Sequence, residues 1–119
     1  MKSRRLFAFA FLFLLGMSPA IAQESIRLQF DVAKDGTTVA KPQIAVNPGS
    51  AGSMEISDIG KFVFTPTFRG SDVAITFDIN SGGKQFKPIL VISKNEPGAI
   101  SWTSDTRTES FTLTVSWVR

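Results

Sequence analysis

Ser81-Gly82-Gly83-Lys84 places an amine three residues after a hydroxyl. With this spacing a lysine one helical turn on can relieve a serine nucleophile of its proton for acyl transfer. The chemistry needs a helix to bring the amine back to the hydroxyl. Asn80-Ser81-Gly82-Gly83 is instead a hairpin-turn signal between alternating segments, so the pair is expected to be structural. Asp78, Asn80 and Gly82 begin like a calcium loop. However, Gly82 offers no side-chain oxygen at the fifth position, and Ile89 stands where a bidentate glutamate is required. The glycine-rich run from Pro48 to Ser53 has no following lysine and opens no helix, so it lacks the parts of a phosphate cradle.

The chain contains no histidine, cysteine or tyrosine. The commonest general base, the thiol nucleophile and the usual transition-metal ligands are therefore missing. Asp72 with Asp78, and Glu55 with Asp58, are not spaced as an evident acid pair. The expectation is a protein that is not an enzyme and has no cofactor or metal. Lys84 and Lys87 flank Phe86, a pattern read here as a solvated strand edge protected against aggregation.

The amino terminus reads as a secretory leader. Lys2, Arg4 and Arg5 precede the apolar run Leu6 to Met17, Ser18-Pro19 breaks any helix, and Ala20-Ile21-Ala22 offers small residues for cleavage. The apolar run is shorter than the roughly 20 residues of a membrane span. Residues 1–22 are expected to be a cleavable Sec signal removed after Ala22. Residues 23–119 then form one domain in the periplasm or the medium, with no transmembrane segment. The precursor has 13 basic and 10 acidic side chains, and removing Lys2, Arg4 and Arg5 brings the two to parity. No basic surface remains to attract nucleic acid, and a net charge near zero leaves self-association open. A small exported domain without cysteines cannot be stapled by disulfides. Its phenylalanines and two tryptophans must supply the core.

Period-two alternation runs through the mature chain. Ile26, Leu28, Phe30 and Val32 form one apolar row. Val73, Ile75, Phe77 and Ile79 form another, and Phe111, Leu113, Val115 and Trp117 a third. Strands are also expected at residues 39–46 with Pro42 inside, at 54–56, at 62–66, at 86–92 with Pro88 inside, and at 100–102. Proline cannot donate to a ladder, so the strands holding Pro42 and Pro88 belong at edges or bulges. A shift of 46 residues sets Lys41-Pro42 on Lys87-Pro88 and Gly52 on Gly98, and a shift of 47 sets Ile26 on Val73. The expected fold is a single antiparallel, immunoglobulin-like β-sandwich of about eight strands, built from a duplicated four-strand unit. Its core comprises Ile26, Leu28, Phe30, Ile44, Val46, Ile56, Phe62, Phe64, Val73, Ile75, Phe77, Leu90, Ile92, Trp102, Phe111, Leu113 and Val115.

Pro42-x-Ile44, residues 49–56, Phe62-x-Phe64-Thr65-Pro66-Thr67 and Val73-x-Ile75-x-Phe77-x-Ile79 together resemble a stretch of the secretin β-domain. The resemblance covers residues 42–79 and implies a secretin-like β-fold. The ring-building domains and membrane-inserting segments of secretins have no counterpart in the chain, so pore formation does not carry over. The leading functional expectation is a non-catalytic cell-envelope protein that binds another protein as an assembly or chaperone-like accessory. The final strand, with Phe111, Leu113, Val115 and Trp117, is its candidate binding edge. A small-ligand or lipid carrier with a cavity between the sheets is the alternative, and an enzyme using Ser81 and Lys84 comes third.

Overall fold

A computed structural model describes residues 25–118; the leader-like residues 1–22 lie outside the described residues. The described chain is all β. Ten strands run in order: β1 (Ile26–Lys34), β2 (Thr37–Ala40), β3 (Gln43–Val46), β4 (Gly52–Ile56), β5 (Gly60–Arg69), β6 (Asp72–Ser81), β7 (Lys84–Phe86), β8 (Ile89–Ile92), β9 (Gly98–Thr103) and β10 (Ser110–Val118). They form two five-stranded antiparallel sheets. One has the order β9-β10-β1-β2 with β3 also on β1; the other has the order β4-β5-β6-β7 with β8 also on β6.

Two expected strands are each two strands in the structure. Pro42 divides β2 from β3, and Pro88 divides β7 from β8. At each break the proline carbonyl still accepts a ladder bond, from Phe30 N–H (2.9 Å) and Phe77 N–H (2.9 Å) respectively. The missing proline donor interrupts the strand without releasing it from its neighbour. β4, β5, β6 and β7 lie side by side in chain order. Within this sheet the chain is a meander. The stretch 42–79 that resembles a secretin β-domain runs from β3 to β6 and crosses from one sheet to the other.

The two halves repeat one another in their pairings. β1, β2, β3, β4 and β5 correspond to β6, β7, β8, β9 and β10, and this exchange turns each sheet order into the other. Gly52 and Gly98 are equivalent and serve the same purpose. A Cβ on Gly52 would come within 2.8 Å of Val46, and one on Gly98 within 2.8 Å of Leu90. Bare backbone is required where the chain crosses from β3 to β4 and from β8 to β9. The repeat needs two offsets because β1 and β2 change register between Val32 and Ala33, leaving Val39 as an extra, unpaired residue. β6 pairs with β7 without such a shift.

The alternating rows meet between the sheets. Phe30 of β1 lies 4.9 Å from Phe64 of β5, and Trp102 of β9 lies 6.0 Å from Phe62 of β5. Trp102 also stacks on Phe111 at 5.5 Å. Val32, Met54, Ile59 and Ile79 join the expected core, while Ile44, Val46, Ile56 and Leu90 pack only part-buried against it. These last four lie on the short strands β3, β4 and β8, each paired on one side only. At one end of the sandwich the loop 104–109 closes over the β6–β7 hairpin, with Asp105 N–H donating to Gly82 carbonyl at 2.8 Å. An exposed ion pair, Lys34 Nζ to Glu109 at 3.1 Å, ties the same loop to β1. The hydrogen bond and charge of Glu109 hold the Lys34 ammonium above its usual range.

Candidate functional site

Over most of its length the final strand is not an edge. β10 is hydrogen-bonded on one flank to β9 and on the other to β1. Phe111, Leu113 and Val115 are buried, and Trp117 is half-buried at the open end of the sandwich. From Ser110 to Val115 both flanks of β10 are taken, so Phe111, Leu113 and Val115 do not form the free edge the sequence reading expects, while Ser116 to Val118 are bonded to β1 alone. The backbone groups of an end strand look free in a sequence because its second neighbour, here β1, is at the far end of the chain.

Ser81 and Lys84 face each other as the last pair of the β6–β7 hairpin, with Gly82 and Gly83 both at positive φ (63° and 81°) in the two-residue turn. Ser81 is buried. Its Oγ donates to Ile59 carbonyl at 2.8 Å and accepts from Trp102 Nε1–H at 3.1 Å, so the hydroxyl is committed to holding β4–β5, β6 and β9 together. Lys84 Nζ instead reaches Thr103 Oγ1 at 3.5 Å. Ser81→Ala is expected to cost about 1–3 kcal/mol, because it leaves the buried Trp102 N–H without an acceptor. A urea unfolding midpoint equal to that of the unaltered protein would contradict this. Asp78 and Asn80 are strand residues, and Gln85 Nε2 donates to Asp78 at 3.2 Å. Among the described residues, no three carboxylates converge on a point that could hold a metal ion.

The surface that does stand open is β8. It pairs only with β6, in the register Ile75 to Leu90 and Ala74 to Val91. The bond from Phe77 N–H to Pro88 carbonyl sets the phase of this ladder. Antiparallel pairing alternates, so Leu90 and Ile92 bond inward to β6, and the N–H and C=O groups of Ile89 and Val91 point away from it. The same two residues expose their side chains, Ile89 at 67% and Val91 at 44%. The missing donor of Pro88 faces β6, so it does not blunt the outer edge.

The equivalent edge in the other half is defended. β3 carries Gln43 and Ala45 where β8 carries Ile89 and Val91. The Gln29 side chain donates to the carbonyls of Phe30 (3.1 Å) and Lys41 (3.1 Å), filling the break between β2 and β3. Its counterpart in the second half is Thr76, whose hydroxyl turns instead to Thr65 carbonyl at 3.2 Å. Val39 adds a bulge to the first edge, and no bulge occurs on the second. Bulges and polar plugs are among the devices that keep sheet edges from pairing, and the β8 edge has neither from Ile89 to Ile92, although exposed Lys87 stands just before it.

Sequence reading missed this edge, although a signal was present. Ile89-Leu90-Val91-Ile92 is apolar at every position. A proline-marked edge strand with no polar face must expose two of its four apolar side chains. Comparison with known proteins adds no name to this geometry: no family model, no curated protein and no solved structure matches the chain.

Proposed function

We propose that this chain is an exported, non-catalytic binding protein that takes a strand of a partner protein onto β8, as an assembly or chaperone-like accessory of the cell envelope. The observation that carries the reading is the coincidence on Ile89 and Val91 of outward-pointing backbone groups and exposed β-branched side chains. Main-chain bonds to such an edge supply affinity, and alternate side chains supply specificity. The leader-like residues 1–22 support export, and Ser81, being committed to packing, supports a role without catalysis. The repeated pairings support a duplicated unit whose two copies differ in how their edges are defended.

The test is capture of partners from envelope extracts by the mature chain and by an Ile89→Lys/Val91→Lys variant, read with amide exchange at Ile89 and Val91. The variant changes two exposed side chains, so its melting temperature is expected to stay within a few degrees of the original while capture is lost. The matched control Gln43→Lys/Ala45→Lys is expected to capture normally. The reading fails if capture survives the β8 substitutions, or if the Ile89 and Val91 amides stay as fast to exchange in the complex as in the free protein.

A further inference from the structure

The two ends of the sandwich differ. One is closed by the loop 104–109. At the other, the inward-facing rows of β5 and β10 end in Phe68 and Trp117, whose ring centroids are 5.9 Å apart at 54°. Phe68 is 44% exposed although it continues the buried row Phe62, Phe64 and Pro66. An open depression of about 420 Å³ lies here among the described residues, lined by both rings, by Ser71 of the β5–β6 turn, by Asp72 at the start of β6, and by Lys94 and Asn95 of the crossing from β8 to β9. Its volume lies within the range of about 300–1,000 Å³ typical of small-molecule sites.

The two halves differ here. In the first half, Gly49 N–H on the β3–β4 crossing donates to the carbonyl of buried Pro66 at 2.8 Å. Trp117 stands where Pro66 does in the repeat, and Asn95 where Gly49 does. Lys94 Nζ sits 5.5 Å from the Trp117 ring centroid. Among the described residues, no carboxylate lies within salt-bridge distance of it.

We propose that this mouth binds a neutral saccharide unit. The lining offers two aromatic surfaces beside a short run of hydrogen-bonding groups of both kinds. Asp72 accepts, Lys94 donates, and Asn95 and Ser71 do both. Lys94 lies over the Trp117 ring, so the exposed Phe68 ring offers the free negative face for the polarised C–H groups of a pyranose, and its hydroxyls meet the polar rim. One acidic and one basic side chain give no net charge, which disfavours an anionic ligand. An acyl chain has no depth to enter, because Phe30, Phe64 and Phe77 fill the core behind the mouth. The site is separate from the β8 edge, and its test does not depend on a protein partner.

The experiment is titration of the ¹⁵N-labelled mature chain with glucose, N-acetylglucosamine, maltose and, separately, dodecanoate, following the two tryptophan indole N–H resonances. At least one neutral saccharide is expected to shift the Trp117 resonance saturably in the millimolar range, while that of buried Trp102 stays in place. A Lys94→Ala/Asn95→Ala variant, altered only on an exposed loop, is expected to bind about fivefold more weakly or worse. The proposal is overturned if none of the three saccharides shifts Trp117 at tens of millimolar, if dodecanoate alone does so, or if the double variant titrates like the unaltered protein.

Discussion

Replacing Phe64 with alanine is expected to remove about 3–5 kcal/mol of stability, the cost of deleting a buried phenyl ring whose surroundings cannot close over the space. The ring is fully buried on β5, with Phe30 of the opposite sheet at 4.9 Å and Phe77 of its own sheet at 6.4 Å. It therefore fills space between the sheets and between strands of one sheet. No cysteine is present to limit the unfolded chain, so the loss falls directly on the packed state. A domain of this size loses roughly 4–8 °C of melting temperature per kcal/mol, so Phe64→Ala should lower the midpoint by about 12–40 °C. A thermal melt displaced by only a degree or two would show that Phe64 is not where the two sheets meet.

Gly60→Ala is expected to be of similar severity, about 2–5 kcal/mol, although it adds only a methyl group. Gly60 opens β5 with φ at +152°, a conformation that L side chains rarely adopt. A Cβ there would overlap the carbonyl oxygen of Asn80 and come within 2.9 Å of Ser81 Cα. Both obstacles are backbone of the paired strand β6, so no side chain can swing away to make room. Relief would have to separate β5 from β6 beside the bond from Ser81 Oγ to Ile59 carbonyl. Gly36→Ala is the control. It also sits at positive φ, +85°, but a Cβ there meets nothing within 4 Å, so only backbone strain of about 1 kcal/mol is expected. Denaturant midpoints of the two variants measure the difference directly. Equal losses would mean that the approach of β6 to Gly60 is not what the site depends on.

The long strands were legible in the sequence because their alternation is written within one strand. Ile26 to Val32, Val73 to Ile79 and Phe111 to Val115 each have one apolar face, and each lies in the core. Pro42 and Pro88 marked edge strands correctly, although each divides its strand in two. Strand neighbours were less legible. Phe111 to Trp117 read as a terminal edge because nothing local reveals that β1 will lie beside it. Burial of Ser81 was hidden for the same reason, since Ile59 and Trp102 come to it from distant parts of the chain. The difference between the β3 and β8 edges was present as Gln43 and Ala45 against Ile89 and Val91. It becomes meaningful only once the repeat has made the two strands equivalent.

The exchange of strands between the halves also governs the order of events as the chain folds. Residues 26–69 supply a hairpin to each sheet and complete neither, because β1 awaits β10 and β5 awaits β6. Isolated hairpins are marginal in water. The first half therefore has little to gain from settling before the second arrives. The pairing that completes one sheet joins Arg27 to Val118, nearly the full length of the described chain, and closures of such long separation slow folding. The first strand made is thus among the last to be secured. A chain passing end-first through a narrow channel would remain threadable until β10 had emerged.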